Sequence, residues 1–286
     1  MALHNALTVD VEDWYQTSDF KIDPSEWHTY EDRVVNNTMN LLELFDRYQV
    51  KGTFFTLGCV AEKHPGLIRE IVKEGHEIAS HGGWHRLVTG MTRDQFREDV
   101  RSSKRLLEDI SGQQVVFFRA PSWSIAPECY DVLRILEEEG YLCDSSLQPF
   151  QTPLSGVTGA PHTPFYPVLG GKKLELLEFP SCVLKTSGIT VPFSGGLYLR
   201  TLPYAMIRWA LNKVNTTRPG MIYVHPWEID TTQPRIKSSL FARLTHYHNL
   251  GSTMPKLEKL LQEFSFKPLS EIIEEKSYAG VALTTA

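Results

Sequence analysis

Seven short apolar runs, separated from one another by longer segments, constrain the fold of this chain more than any other feature. We predict strands at residues 6–11, 53–57, 76–80, 115–118, 141–143, 174–179 and 221–224. Apolar residues at helical spacing predict helices at 32–48, 65–75, 92–112, 127–140, 203–214 and 255–264. This alternation is typical of a parallel sheet built from βα units. Closed, such a sheet is a barrel of the triosephosphate isomerase kind with one strand missing; open, it is a doubly wound sheet.

The helix boundaries carry local signals, and three longer segments carry none. Thr92 and Gln95 form a candidate capping box, and the helix they begin is predicted to stop at Gly112. Residues 15–31, 147–171 and 231–252 have no clear period, so we predict irregular structure there. The small, uncharged residues 281–286 are predicted to be frayed.

Composition narrows the class of protein without identifying it. The chain has 286 residues, of which 42% are hydrophobic and 22% are charged, as in an ordinary globular protein. A net charge of −5 provides no basic surface and argues against a nucleic-acid partner. The four cysteines form no C-x-x-C pair, so we expect free thiols in a reducing compartment. No signal peptide and no membrane span are apparent, and we predict a cytoplasmic protein.

Ionisable residues lie at the carboxyl ends of five of the predicted strands, within the last residues or directly after them. In a parallel α/β barrel the carboxyl ends of the strands meet at one rim, where active sites lie. Packing alone does not explain these groups, because buried charges are costly unless they are paired. We therefore expect one site that contains Asp10 with Glu12 and Asp13, His81 with His85, Arg119, Asp144 and His225.

These residue types support metal-assisted hydrolysis. His81 and His85 are four residues apart, and with one carboxylate they can bind a divalent ion that keeps positions open for water and substrate. A second carboxylate can take the proton of the attacking water, and a separate histidine can protonate the leaving group. Arg119 is suited to orienting the base, and Asp144 to orienting the acidic histidine.

Several motifs resemble those of the polysaccharide deacetylases, carbohydrate esterase family 4. They occur in the family's order, and the resemblance extends from about residue 7 to 273: Thr8–Asp13, Ser80–His85, Phe118–Ser124, Asp144–Ser146 and Val224–Trp227. The sequences of three further stretches resemble those of the exosortase (PEP-CTERM)-associated subgroup: Asp10–Gln16, Gly75–His81 and Tyr247–Leu250.

The resemblance implies a distorted (β/α)7 TIM-like barrel of the NodB-homology type that removes N-linked, less often O-linked, acetyl groups from a sugar polymer. By the family pattern, Asp10 matches the catalytic base, His225 the acid, Arg119 the residue that tunes the base and Asp144 the partner of the acid. His81 and His85 match the metal ligands. We expect zinc, with cobalt, nickel and manganese as alternatives. The predicted substrate-binding residues are Trp123, Pro121, Trp227 and Tyr198.

One departure from the family leaves the third metal ligand open. Many members have two adjacent aspartates in the first motif, whereas here Val11 follows Asp10. Strand alternation places Asp10 and Glu12 on the same face, which favours Glu12, but Asp13 has the shorter side chain and lies where the strand turns. Both remain candidates.

Three functions follow from these observations. The first is a metal-dependent deacetylase acting on N-acetylhexosamine units of a bacterial exopolysaccharide, in the cytoplasm or at a membrane polysaccharide-synthesis complex. The second is an allantoinase-like hydrolase of small amides, and the third is a catalytically idle glycan-binding scaffold. We expect a single domain over residues 1–286, with a family-specific C-terminal extension at about 228–286. The sequence does not predict the polymer or the oligomeric state.

Overall fold

A parallel sheet forms the centre of the computed structural model, which describes residues 3–152, 155–186, 188–274 and 278–284. The strands are β1 (Asn5–Val11), β2 (Thr53–Thr56), β3 (Glu77–Ser80), β4 (Phe117–Phe118), β5 (Cys143–Asp144), β6 (Tyr166–Leu169), β7 (Lys172–Lys173), β8 (Leu177–Glu178), β9 (Val183–Thr186), β10 (Ile189–Pro192), β11 (Met221–Val224), β12 (Phe266–Lys267) and β13 (Gly280–Ala282).

Helices cover this sheet and connect most of its strands. They are α1 (Val34–Arg47), α2 (Gly58–Lys63), α3 (Pro65–Lys73), α4 (Arg93–Ser111), α5 (Val132–Glu138), α6 (Gly196–Thr201), α7 (Tyr204–Val214), α8 (Leu240–Tyr247), α9 (Thr253–Glu263) and α10 (Leu269–Ile273). The capping box predicted for α4 is present, and Gly112 ends this helix in the left-handed conformation at φ 68°.

The main sheet has the strand order β11-β1-β2-β3-β4-β5-β8, and every neighbouring pair on this path is parallel. These strands fall within the seven apolar runs, or within one residue of them. The sheet curls into a half-barrel with helices, so the predicted barrel architecture is confirmed. β12 adds to the first residues of β1, through the pair Asn5 and Phe266.

Burial on both faces explains why these strands show runs instead of alternation. All seven residues of β1 are buried, because helices cover one face of the sheet and the barrel interior is packed on the other. The hydrophobic core contains residues from Ala6 to Ile272. All four cysteines are free. In the described ranges, no helix has both the length and the apolar character needed to cross a bilayer.

The structure corrects three predictions of irregular chain. Helix α8 lies inside 231–252, where two apolar sides instead of one hide the helical period. Strand β6 lies inside 147–171 and pairs with β7 and β13. The expectation of a frayed end is wrong for Val281 and Ala282, since β13 pairs in parallel with β6, whereas residues 285–286 lie outside the described residues.

Candidate active site

The carboxyl end of β1 supplies two carboxylates to the rim of the half-barrel. Asp10 and Glu12 are both almost fully buried, with 2% and 3% of their surface exposed. The N–H of Glu12 donates to the carbonyl of Asp10, so the chain turns as soon as the strand ends. This turn keeps both side chains in the same cavity.

The two predicted imidazoles come from the loop after β3. Gly82, at φ 76°, reverses the chain directly after His81, and a Cβ there would lie 2.8 Å from Oδ2 of Asp99. His85 itself has a left-handed backbone, with φ 50°, a conformation that non-glycine residues seldom adopt outside functional or strained sites. The result is one tight curl that places the rings with their centroids 5.5 Å apart.

Glu12, His81 and His85 together satisfy the geometry of a metal site. Each offers one ligand atom, and these atoms lie within 4.8 Å of one another. Nδ1 of His81 lies 2.7 Å from the carbonyl oxygen of Arg119; donating a hydrogen bond to it leaves Nε2 with its lone pair directed into the cavity. Burial also lowers the pKa of His81 to about 4, so the ring is neutral at pH 7, the form that binds metals.

The carboxylate of Glu12 fits the same role. Trp227 donates its indole N–H to Oε1 at 3.0 Å. The other oxygen, Oε2, lies 2.7 Å from Nε2 of His85 but accepts no well-aligned hydrogen bond in the described part of the chain. Burial would raise the pKa of Glu12, yet the imidazoles of His85, His225 and His81 bring it well below its usual range. An ionised, buried carboxylate oxygen beside two imidazoles is a ligand set that suits a divalent cation.

Asp13 does not belong to this group, and the alternative that it is a metal ligand is not supported by its position. Its Oδ2 accepts the backbone N–H groups of Arg33 and Val34, and its Oδ1 accepts that of Trp14. The side chain therefore caps the start of α1 instead of entering the cavity. Burial raises its pKa to about 6 despite these hydrogen bonds.

Arg119 holds the carboxylate of Asp10. Its guanidinium forms a short ion pair with Oδ1 of Asp10 and is itself fully buried. The rings of Phe55 and Trp123 lie over it at 4.0 and 4.4 Å. Ser145 accepts further hydrogen bonds from it, so its position is fixed on several sides.

The partner of His225 is Glu228, which was not predicted. Nδ1 of His225 lies 2.9 Å from Oε2 of Glu228, and Arg200 donates to the other oxygen of that carboxylate, also at 2.9 Å. Burial opposes a charge on His225, but Glu228 outweighs it together with Glu12 and Asp10, and the pKa of His225 rises to about 9. His225 is therefore protonated at neutral pH, with Nε2 at 3.8 Å from both Asp10 and Glu12.

Asp144, expected beside His225, has other neighbours. It accepts a short hydrogen bond from Ser146 and faces Glu178 across the paired strands β5 and β8. Burial raises the pKa of Asp144 to about 6, and burial next to Asp144 raises that of Glu178 well above its ordinary value. Burial of two neighbouring carboxyl groups therefore favours the protonated form of at least one of them.

The cavity that contains these groups has a volume of about 370 Å³ and is bordered by aromatic side chains. Trp123, Trp227 and Tyr198 line it, as predicted for substrate-binding residues, but Pro121 is buried and does not. Pro121 instead begins the turn Pro121–Trp123, in which Ser122 and Trp123 both have left-handed backbones. Two consecutive residues in this conformation cost conformational free energy, and strained backbone of this kind is concentrated at functional sites. The turn is therefore consistent with a role in shaping this cavity.

The sequence contained only faint signals for the residues that were missed. Glu228 follows His225 by three residues, and a turn of that length brings such side chains together. Arg200, 28 residues away along the chain, gave no signal. Asp19 also lines the cavity, and its pKa is raised by burial and by Glu12. The fold and the site together define a parallel α/β half-barrel with a hydrolase-type centre: two carboxylates and three imidazoles at the carboxyl ends of its strands.

Comparisons with known proteins identify the family. The family model described as "Polysaccharide deacetylase" matches residues 22–141, and the one described as "Domain of unknown function (DUF3473)" matches residues 145–274. The chain therefore contains a polysaccharide deacetylase domain of carbohydrate esterase family 4, followed by DUF3473 as found in the PEP-CTERM-associated subgroup. The second match begins at residue 145, whereas the extension was expected near residue 228; the single-domain assignment stays a prediction.

Individual relatives agree with this assignment over part of their length. A peptidoglycan-N-acetylglucosamine deacetylase from Bacillus cereus is 32% identical over 84 residues, which are 29% of this chain and 30% of that protein. A candidate polysaccharide deacetylase from Mycobacterium smegmatis has a solved structure with a TM-score of 0.61 and 22% identity, covering 96% of this chain and 89% of that one.

A second solved structure is a family 4 pseudoenzyme from Bacillus anthracis. It has a TM-score of 0.50 and 14% identity, and covers 98% of this chain and 67% of that one. At these identities the two structures demonstrate a shared fold, while the activity of this chain has to be argued from its own residues.

Proposed function

We propose that this protein is a metal-dependent deacetylase that hydrolyses N-acetyl groups on hexosamine units of a bacterial exopolysaccharide. The observation that supports this most strongly is the position of His225. Its Nε2 lies 3.8 Å from both Asp10 and Glu12, so an acid, a base and a three-ligand cluster meet in one cavity. The names of the curated relatives, which include peptidoglycan-N-acetylglucosamine deacetylases, support an N-acetylated glycan as substrate.

Glu12, His81 and His85 would hold the metal, and the donor set of two imidazoles and one carboxylate suits zinc, with cobalt, nickel or manganese as alternatives. When bound, a divalent cation acts as a Lewis acid that polarises the acetyl carbonyl and makes water more acidic. Trp227 and the carbonyl oxygen of Arg119 fix the orientation of these ligands through their second polar atoms.

Asp10 acts as the general base of this reaction. Its Oδ1 is held by Arg119, so the free Oδ2 faces the cavity and can take the proton of the attacking water. Two aromatic rings lie over the guanidinium of Arg119, so the group that holds this carboxylate is itself restrained. General-base catalysis of this kind contributes about 10²- to 10⁴-fold in rate.

His225 acts as the general acid. With a pKa of about 9 it carries the proton that the leaving nitrogen needs when the amide C–N bond breaks. Glu228 holds the ring through Nδ1 and stabilises its charge, while Arg200 holds Glu228. The products are acetate and a free amine on the sugar, and the walls formed by Trp123 and Trp227 are suited to the apolar faces of a sugar ring and an acetyl methyl group.

The test is release of acetate from N-acetylated oligosaccharides by the purified protein. We expect activity that a chelator abolishes and that zinc or cobalt restores. Asp10→Asn should lower kcat by about 10²- to 10⁴-fold while metal content, measured by elemental analysis, stays at one equivalent. Protein that binds metal and glycan but releases no acetate would be an idle scaffold, and preferential hydrolysis of small amides such as allantoin would make it an amidohydrolase; either result would contradict the proposal.

A further inference from the structure

Helix α8 exposes three large apolar side chains at the mouth of the cavity. Leu240, Phe241 and Leu244 are 72%, 55% and 54% exposed. Residues three and four positions apart lie on the same side of a helix, so these side chains form one outward surface. The opposite side of α8, which includes Ala242 and His246, is buried against the protein. The helix thus has two apolar sides, and the described part of the chain covers only one.

Three basic side chains lie on α8 or within five residues before it in the sequence. Arg235, Lys237 and Arg243 are all exposed. Within the described residues, no carboxylate lies within ion-pair distance of any of them; Arg235 stacks on the ring of Tyr247. The sequence contains no Asp or Glu between Asp230 and Glu258, although the whole chain has a net charge of −5. The local positive charge of this segment therefore attracts an anionic partner.

We propose that residues 235–244 form a docking surface for an anionic phospholipid bilayer. Exposed leucine and phenylalanine beside arginine and lysine are the two components of helices that lie in a membrane interface. Leucine side chains are not suited to the hydrogen-bonding faces of a glycan, and an aliphatic side chain as exposed as Leu240 projects outward instead of lining a groove for a folded partner.

The location of α8 gives this docking a consequence for the active site. Phe241 and Thr245 line the catalytic cavity, so a bilayer in contact with Leu240 and Leu244 would lie beside its entrance. The surface would then admit saccharide chains that are anchored to, or emerge at, the lipid headgroups. Only this consequence depends on the proposed deacetylase function; the docking itself does not.

Vesicle flotation of the full-length protein tests the inference. We expect binding to vesicles of phosphatidylcholine mixed with phosphatidylglycerol, with far weaker binding to phosphatidylcholine alone, and a decrease as salt is added. Leu240→Ser combined with Leu244→Ser should weaken binding at least about tenfold, and Lys237→Gln combined with Arg243→Gln should remove the preference for the anionic lipid. Ile189→Ser combined with Met206→Ser, which also removes two exposed apolar side chains, is the matched control and should bind as the wild type does.

Two results would overturn the docking surface. One is equal, weak flotation of the wild type with both kinds of vesicle; the other is a loss in the control pair as large as that in the Leu240 and Leu244 pair. If the wild type instead forms a dimer in light scattering that Leu240→Ser with Leu244→Ser dissolves, and does not bind vesicles, the occupant is a second copy and the inference is wrong. Acetate release from a soluble oligosaccharide, measured on the same variants, separates the two proposals. Leu240→Ser combined with Leu244→Ser should leave this activity unchanged. If the wild type releases no acetate, the deacetylase proposal fails, but the docking result is unaffected.

Discussion

Single side chains at this site derive their properties from fixed neighbours. Arg119 and Arg200 are both fully buried, and each is paired with a carboxylate that in turn contacts the reacting region. A buried charge is tolerated only when its partner is held in place, so the two arginines make Asp10 and Glu228 rigid at the same time as they neutralise them. The proposed chemistry of Asp10 and His225 therefore depends on the two buried arginines that hold Asp10 and Glu228.

Replacing Glu228 should change the pH dependence of catalysis. His225 must be protonated to act as the acid, so activity should fall as pH rises through its pKa of about 9. In Glu228→Gln the largest stabilising charge beside the imidazolium is gone, the pKa of His225 falls, and the alkaline limb of kcat/KM should move at least about one unit toward lower pH. Glu228→Asp should restore part of the shift. A uniform loss of kcat at every pH, with the limb unmoved, would mean that Glu228 is only structural.

Neighbouring strands place side chains that are distant in sequence opposite each other. β5 and β8 are neighbours in the sheet although a long excursion separates them in sequence, and their register sets Asp144 opposite Glu178. Two buried carboxyl groups in contact cannot both be ionised at low cost, so one retains its proton. The N–H of Leu147 donates to Oε1 of Glu178, so the other oxygen, Oε2, is left to face Asp144 on β5.

This strand pair should make stability depend on pH. The pKa of Asp144 is raised from 3.8 to about 6, and that of Glu178 is raised further from 4.5, so the folded state binds more protons than the unfolded state above about pH 4. Stability should therefore fall as pH rises through this range. Glu178→Gln keeps the acceptor for Leu147 and offers Asp144 a permanent donor, so the free energy of unfolding measured in urea should decline less between about pH 4 and 7. Glu178→Ala should instead lose about 1–3 kcal/mol, because polar groups are left unpaired. An unchanged slope in Glu178→Gln would contradict the retained proton.

At the scale of the whole molecule, the proposed metal ligands come from strands that are remote in sequence. Glu12 follows β1, whereas His81 and His85 follow β3, so the cluster exists only when the sheet is assembled. A metal that binds this cluster binds the folded state alone and stabilises it by mass action, by about 2.7 kcal/mol at one hundred times its Kd.

Thermal denaturation with and without zinc should show this coupling. We expect zinc to raise Tm by roughly 4 °C or more, since about 1 kcal/mol corresponds to 2–4 °C for chains somewhat shorter than this one. Glu12→Gln should lose most of this rise. Asp13→Asn should keep the rise but start from a lower Tm, because it weakens the cap of α1 by about 1 kcal/mol. The opposite pattern, with the zinc effect lost in Asp13→Asn and kept in Glu12→Gln, would show that the third ligand has been misassigned.

Of the eight strands that the described residues contribute to the main sheet, seven could be predicted, because strands buried on both faces must be short and apolar. The barrel architecture follows from their alternation with helices. Ionisable residues at strand ends are informative for the same reason. Asp10 lies at the end of such a run, and His81 and His225 come directly after one, at positions where packing does not need them. Local geometry even favoured Glu12 over Asp13, through strand alternation, without deciding between them.

Contacts between distant segments could not be predicted from these patterns. Asp144 was expected beside His225 and lies instead beside Glu178, while Glu228 and Arg200 fill the expected place. Helix α8 was missed because its outward apolar side erases the single stripe by which an amphipathic helix is recognised. The sequence by itself determined where the strands lie, in which order they follow one another and which residue types stand at their ends, since these features depend on local periodicity. Only the tertiary structure decided which charged groups pair, because that choice depends on register and chain reversal between strands far apart in sequence.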